Sequence, residues 1–280
     1  MSDNPLVSVG IPVCGHPEGL LNTLQNIVGQ SYTNLEITVS INPSPDENTD
    51  REMISVVSRF QTDPRLRWYC QPTNIGLANN FQFVLLKATG SYFVWAADDD
   101  QWGRRFVETL VGALQSNPES NEAMCTTIRI DPDGRSIGFV NLSIPPSPIM
   151  SALYFACHLR MAYFFHGIFR TDQLRMYMKE RQDIFFGGDW FTVTEMIMSG
   201  SLVWVDIPLF MKGINPEKDN RIFNLDKLCW LKLCGNFPMY LLKSKNVPTR
   251  RKIWIPLMAG LTFIWVAKLY VGHLVWKITR

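Results

Sequence analysis

Tyr92-Phe93-Val94-Trp95-Ala96-Ala97-Asp98-Asp99-Asp100-Gln101-Trp102 is an apolar run that ends in three adjacent carboxylates. An unbroken apolar run of this length fits a strand buried on both faces, expected over Ser91 to Ala97. Acids crowded at the end of such a strand repel one another, and a divalent cation bound to a diphosphate relieves that repulsion. The plainer alternative is that they cap the next helix, expected over Arg104 to Gln115, and complement its N-terminal dipole. A cap needs one Asp and three are present, so metal binding is the reading carried forward.

Upstream of the acids, strand and helix patterns alternate. Leu6 to Val13, Leu35 to Ile41 and Leu66 to Cys70 read as strands; Leu20 to Val28, Arg51 to Phe60 and Leu77 to Lys87 read as helices. This order predicts right-handed βαβ units and a mostly parallel sheet with helices on both faces. Ligands of such sheets bind beyond the strands' carboxyl ends, where Pro12, Asn42 and Asp98 fall. From Met124 onward the alternation gives way to turn-rich segments, including Asp131-Pro132-Asp133-Gly134 and Pro145-Pro146-Ser147-Pro148. A helix is expected from Trp190 to Ser199, opened by Gly187-Gly188-Asp189, and then a strand from Leu202 to Ile207.

With 280 residues the chain can form one large α/β domain plus an appendage. The six cysteines form no C-x-x-C pair, which argues against a zinc site and for reduced, mostly buried thiols. Met1 to Pro5 lacks a basic region followed by an apolar one, so the catalytic part is expected in the cytosol.

The net charge of +2 conceals an asymmetry. Lys227 to Arg280 holds ten of the 27 Lys and Arg and none of the 25 Asp and Glu, leaving −8 on residues 1–226 and +10 on residues 227–280. The basic segment is also rich in Trp, Leu, Ile and Tyr, which suits an anionic membrane surface better than nucleic acid. Ile253 to Ala267 carries no charge over fifteen residues, short of the about 20 a membrane span needs unless Lys268 is accommodated. Trp230, Trp254, Trp265 and Trp276 lie close to basic residues in the manner of interfacial anchors. A buried helical hairpin is the alternative; membrane association is preferred, with spanning and in-plane attachment both open.

Val7-Ser8-Val9-Gly10-Ile11-Pro12-Val13, Gly19-Leu20-Leu21 and Gln30-Ser31-Tyr32-Thr33-Asn34-Leu35-Glu36-Ile37 resemble the opening of a family 2 glycosyltransferase of the GT-A fold. Asn42-Pro43-Ser44-Pro45-Asp46, Asn74-Ile75-Gly76-Leu77-Ala78-Asn79-Asn80, the Asp98 to Asp100 run and Gly188-Asp189 follow in the matching order, so the resemblance covers about Leu6 to Leu209. It implies an inverting, metal-dependent enzyme acting on a nucleotide-sugar donor. Pro12, Val13, Asn42 and Asn74 would line the nucleotide, with Asn42 able to accept from a uracil N–H; the alternative for Asn42 is to start the Asn-Pro-Ser-Pro turn. Asp98 would lie near the ribose, and Asp99 or Asp100 would hold Mn2+ or Mg2+. Asp189 would be the base that activates the acceptor hydroxyl, or simply the N-cap of its helix. Where the family commonly has Tyr-Asn after the first strand this chain has Cys14-Gly15, and Ile41 replaces the first acid of a usual pair. Uridine is the favoured base, with thymidine and guanosine open.

His166, in Phe164-Phe165-His166-Gly167, falls near the expected acceptor side. A lone His in an apolar run is more often a satisfied core residue. Lys212 and Arg221 are candidates to close over the diphosphate on charge alone. The expectation is thus a GT-A catalytic domain over residues 1–226 and a basic, apolar membrane-associating region over 227–280. It would serve a glycan or lipid-linked acceptor at the cytosolic membrane face, in surface polysaccharide assembly. A sugar-1-phosphate nucleotidyltransferase is disfavoured because its Gly-rich, Lys-containing N-terminal loop is missing. A degenerate glycan-binding scaffold is disfavoured by the intact acids.

Overall fold

A computed structural model describes residues 4–141, 147–156, 164–179, 188–214 and 227–264. The first half follows the expected alternation: β1 (Val7–Val13), α1 (Pro17–Val28), β2 (Leu35–Ile41), α2 (Glu47–Ser58), β3 (Leu66–Cys70), α3 (Leu77–Lys87) and β4 (Tyr92–Trp95). The three pairings β2–β3, β1–β2 and β1–β4 are all parallel. Helix α2 begins four residues before its expected start because Asp46 caps it, accepting from the Asn48 and Thr49 N–H groups.

The remaining elements are β5 (Asp100–Trp102), α4 (Phe106–Ser116), β6 (Ser120–Ile130), β7 (Ser136–Val140), α5 (Pro148–Ala156), β8 (Ile168–Arg170), α6 (Thr171–Lys179), α7 (Gly188–Ser199) and β9 (Ser201–Gly213). The nine-stranded sheet runs β3-β2-β1-β4-β8-β6-β9-β5, with β7 paired to β6. Strand β8 enters antiparallel between β4 and β6, and β5 lies antiparallel to β9. The sheet is therefore mixed rather than mostly parallel, because beyond β4 the connections cease to be uniform βαβ crossovers. The segment after Met124, expected to be turn-rich, continues as strand through Ile130 before a hairpin at Asp131 to Arg135 turns it into β7.

Alternation along β4 shows how the two faces are filled. Tyr92 and Val94 join one buried cluster with Leu20, Leu24 and Val57 of α1 and α2, while Phe93 and Trp95 join another with Val84, Leu85 and Leu174 of α3 and α6. Strand β9 runs six residues beyond its expected end at Ile207, its register against β6 shifting on either side of Thr126. That extension brings Lys212 opposite Asp100.

The chain then forms α8 (Lys227–Lys243), α9 (Thr249–Lys252) and a helix over 255–264. Phe237, Leu241, Val247, Ile255 and Met258 share one core with Phe191, Val193 and Ile197 of α7, so residues either side of the expected 226/227 boundary pack together. Among the described residues, no helix is long and apolar enough to cross a membrane. Cys14 and Cys70 are exposed and Cys125 is buried, all three as free thiols, so burial is not the rule expected for the cysteines. Cys157 lies outside the described residues.

Candidate active site

The three acids do not form a single exposed cluster. The strand before them stops at Trp95, and the Ala96 N–H donates to the Gly10 carbonyl (2.9 Å), so the chain leaves the sheet beside β1. Asp98 and Asp99 occupy a turn, whereas Asp100 is the first residue of β5. Their side chains differ accordingly: Asp99 is 33% exposed and Asp100 only 1%.

Helix α1 holds this turn through a polar stripe that the sequence reading missed. Thr23 Oγ1 donates to the Ala97 carbonyl at 3.2 Å. Asn26 Nδ2 donates to the Trp102 carbonyl (2.8 Å) while its Oδ1 accepts from the Trp102 N–H (2.9 Å). Gln30 Nε2 donates to the Gly103 carbonyl at 3.2 Å. Thr23 and Asn26, three residues apart on one face of α1, and Gln30, just beyond the helix's end, are a signal present in the sequence among the apolar Leu20, Leu24 and Ile27. A Cβ at Gly19 would come within 2.2 Å of the Asp98 carbonyl oxygen, so helix and turn meet at backbone contact there.

Each acid has a positive or titratable neighbour. His16 Nδ1 lies 3.2 Å from Asp98 Oδ2. Lys212 Nζ lies 2.8 Å from Asp100 Oδ1 and 3.4 Å from Asp99 Oδ1. His166 Nδ1 lies 3.3 Å from Asp100 Oδ2, and its ring stacks on Phe210 with centroids 5.4 Å apart. The neighbouring Phe165 stacks flat on Trp95 at 4.4 Å, which fixes the 164–166 turn beneath the acids.

Burial pushes the Asp100 carboxyl up to about 7, an effect that the Lys212 charge opposes without cancelling. Burial, aided by Lys212, holds His166 well below its usual range, so its imidazole is neutral at neutral pH. Burial would also lower Lys212, but Asp100 and Asp99 outweigh it and the ammonium is held above its ordinary value. Lys212, expected to close over a diphosphate, is thus paired with the acids. Arg221 lies outside the described residues.

The strand ends expected to line a nucleotide form one braced edge. Pro12 and Val13 are buried at the end of β1, and the Val13 carbonyl accepts from the Asn42 N–H at 2.8 Å. Asn42, 2% exposed, donates from Nδ2 to Asn74 Oδ1 (3.1 Å) and accepts from the Ile75 N–H (3.1 Å). Asn74 Nδ2 in turn donates to the Pro43 carbonyl at 2.9 Å. The acceptor expected to read a base N–H is thus engaged by the 74–76 loop, and Asn42 and Asn74 tie the β2 and β3 ends together. Gly76, at φ 82°, lets the chain turn from that loop into α3.

Asp189 lies in the first turn of α7, between Gly188 and the buried stretch Phe191 to Met198. Among the described residues, no three His, Cys, Asp or Glu side chains converge as a ready-made cation cage. The oxygen donors on the Asp98–Asp99 turn do fit the mode in which one or two carboxylates hold a divalent cation together with phosphate oxygens.

The model of glycosyl transferase family 2 matches residues 8–180, more than half of the chain. The chain belongs to that family. Among curated relatives, an uncharacterized glycosyltransferase of Rickettsia felis is 25% identical over 59% of the chain and 28% of its own length. The putative colanic acid biosynthesis glycosyl transferase WcaA of Escherichia coli is 24% identical over 36% of the chain and 35% of its own length. The match to these family members therefore spans about a third of their length. Among solved structures, the Pyrobaculum calidifontis mannosyltransferase PcManGT, in complex with GDP-Man and Mn2+, superposes with a TM-score of 0.64 at 18% identity. That match covers 100% of this chain and 76% of the other. Staphylococcus aureus TarS 1-349 in complex with UDP-GlcNAc gives a TM-score of 0.58 at 14% identity over 98% and 92%. Both likenesses establish the GT-A type of fold for this family member.

Proposed function

We propose that the protein is an inverting glycosyltransferase that moves a sugar from a nucleotide donor, UDP-linked by preference, to a glycan or lipid-linked acceptor at the cytosolic face of a membrane. The reading is carried by the Asp98–Asp99 turn, whose carboxylates remain accessible beside the braced strand ends at Val13, Asn42 and Asn74. Asp98 serves the ribose and Asp99 is the metal ligand. The burial of Asp100 against Lys212 and His166 supports a role behind Asp99. Mn2+ or Mg2+, when bound, would act as a Lewis acid neutralising the charge that develops on the leaving diphosphate.

Asp189 takes the proton from the acceptor hydroxyl as the oxygen attacks the anomeric carbon. A single displacement with one base inverts that carbon and needs no covalent intermediate. Asn42 and Asn74 act as braces that keep the base-binding edge rigid, leaving recognition of the base to groups around them. The Escherichia coli relative's description and the basic, apolar C-terminal region support a place in surface polysaccharide assembly.

The full chain, incubated with a panel of UDP-, dTDP- and GDP-sugars, is expected to release nucleoside diphosphate with one of them in Mn2+ or Mg2+. Chelator should abolish that release, and so should Asp99→Asn. Release unaffected by both would remove the metal from the reading, and no release from any donor with a range of glycan acceptors would remove the activity.

A further inference from the structure

The helices of the C-terminal region are apolar on two sides. In the helix over 255–264, Ile255, Met258 and Thr262 are buried against the body, while Leu257, Phe263 and Ile264 are about half exposed. Ile253, immediately before it, is 73% exposed, with Trp254 beside it at 37%. Helix α8 repeats the pattern, with Phe237 and Leu241 buried but Met239 and Leu242 exposed. Lys252 Nζ donates to the Leu242 carbonyl (2.8 Å) and the Ser244 carbonyl (2.7 Å), which brings the end of α8 beside the start of the last helix. Exposed Lys243, Lys245 and Arg250 flank this junction.

A helix with apolar side chains all round calls for an apolar medium on its outer side. We infer that the face formed by Met239, Leu242, Ile253, Trp254 and Leu257 docks on an anionic lipid bilayer, with Lys243, Lys245 and Arg250 meeting its headgroups. This rests on the reading above of an acceptor met at a membrane, and it names the surface that does the meeting. A second copy of the chain is the poorer occupant. Residues 227–280 carry ten basic and no acidic residues, so two such faces would repel, whereas anionic lipid complements them.

The docking face is also rigidly joined to the helix that carries Asp189. The buried Glu195 carboxylate of α7 accepts from Tyr240 Oη, Ser244 Oγ and Asn246 Nδ2, the last at 3.0 Å. Arg251 Nη1 donates to the Met198 carbonyl, near the C-terminal end of α7, at 2.7 Å. Phe191 stacks on Tyr240 at 5.5 Å and packs on Phe237 at 5.3 Å. The bilayer therefore sets the height of α7 above it, and with it the depth from which a membrane-borne acceptor is drawn.

The test is sedimentation of the full chain with phosphatidylcholine vesicles prepared with and without phosphatidylglycerol. Wild type should bind the anionic vesicles and release in part at high salt. Ile253→Ser/Leu257→Ser and Lys243→Glu/Lys245→Glu/Arg250→Glu alter exposed positions and should keep the wild-type melting temperature and nucleoside diphosphate release on a soluble acceptor. Both should lose vesicle binding by roughly tenfold or more. Wild type that ignores anionic vesicles would overturn the inference, as would variants that bind as well as wild type. So would a concentration-dependent dimer broken by Ile253→Ser/Leu257→Ser in the absence of lipid. A chain that docks normally yet releases no nucleoside diphosphate would sink the proposed activity and leave the surface standing.

Discussion

Lys212 Nζ sits 2.8 Å from Asp100 Oδ1, with the two residues directly in register across the antiparallel pair of β5 and β9. The third acid of the run is thereby neutralised from within the protein, and the same ammonium reaches Asp99 at 3.4 Å. Three adjacent carboxylates are tolerated at this sheet edge because one of them is a buried ion-pair partner.

Removing the ammonium leaves Asp100 buried beside His166 without a counter-charge. Lys212→Met should therefore cost about 3–5 kcal/mol of stability. Lys212→Met/Asp100→Asn should regain much of that loss, since the uncompensated charge goes with it. Chemical denaturation of both variants decides the matter, and equal losses would show that the pair contributes packing alone.

Asn26 satisfies both backbone groups of Trp102, and no apolar side chain can replace it. Asn26→Leu should cost roughly 2–4 kcal/mol, from two buried backbone groups left unpaired. It should also weaken nucleotide binding by loosening the turn that carries Asp98 and Asp99. Thermal melts paired with nucleotide titration would reveal a purely local effect if affinity held while stability fell.

With Asp189 as base, Asp189→Asn is expected to keep donor affinity and lower turnover by roughly 100-fold or more. Pre-steady-state measurement on a folded variant is the check. Turnover near wild type would leave Asp189 as a helix cap.

Glu122 in β6 is 1% exposed, and neither carboxylate oxygen has a hydrogen-bond partner among the described residues. Burial holds its pKa well above 4.5. The folded state then binds the proton more tightly than the unfolded state. Stability falls as pH rises above the unfolded value, by up to about 1.4 kcal/mol per unit, until the folded carboxyl ionises. Glu122→Gln should flatten that slope in urea melts from pH 4 to 8 and should be the more stable protein at the alkaline end. Parallel slopes would assign the pH dependence to other groups.

Truncation after Asp226 deletes the three side chains that donate to the Glu195 carboxylate among the described residues, and with them Phe237 and Tyr240, which pack on Phe191. The shortened chain should melt well below the full protein or precipitate, by the cost of a buried carboxyl left without its hydrogen-bond donors. Glu195→Gln in the full chain should show a milder loss. A truncated chain as stable as the intact one would mean that the C-terminal helices are an independent appendage.

The parallel half was legible because β1 and β2 place an apolar residue at every second position, β4 is an unbroken apolar run and the helices carry an apolar stripe; β2, β3 and α3 fall at their expected residues. Strand β5 was not, since three residues opening on an Asp give no alternation to read. Nor was the extension of β9, where Asp206 and Pro208 look like a stop until a shift of register absorbs them. At the site, the acids announced themselves, but Lys212 as their counter-ion depends on a pairing that only the folded sheet makes. Thr23, Asn26 and Gln30 are visible in the sequence, but polar residues spaced among Leu20, Leu24 and Ile27 read equally well as the solvated side of a helix, and only the fold shows the backbone groups they satisfy.

Asp99 and Lys212 are separated by 113 residues of chain, which gives their contact a temporal meaning. At about 5–20 residues per second, a ribosome that has finished the acid turn needs roughly 6–23 seconds more to deliver Lys212. During that interval β1 to β4 can form, but the strand that begins at Asp100 has no partner. The acid turn therefore gains its counter-charge late, and a chain interrupted before β9 holds the braced ends of β1 and β2 while Asp99 and Asp100 still lack the Lys212 ammonium.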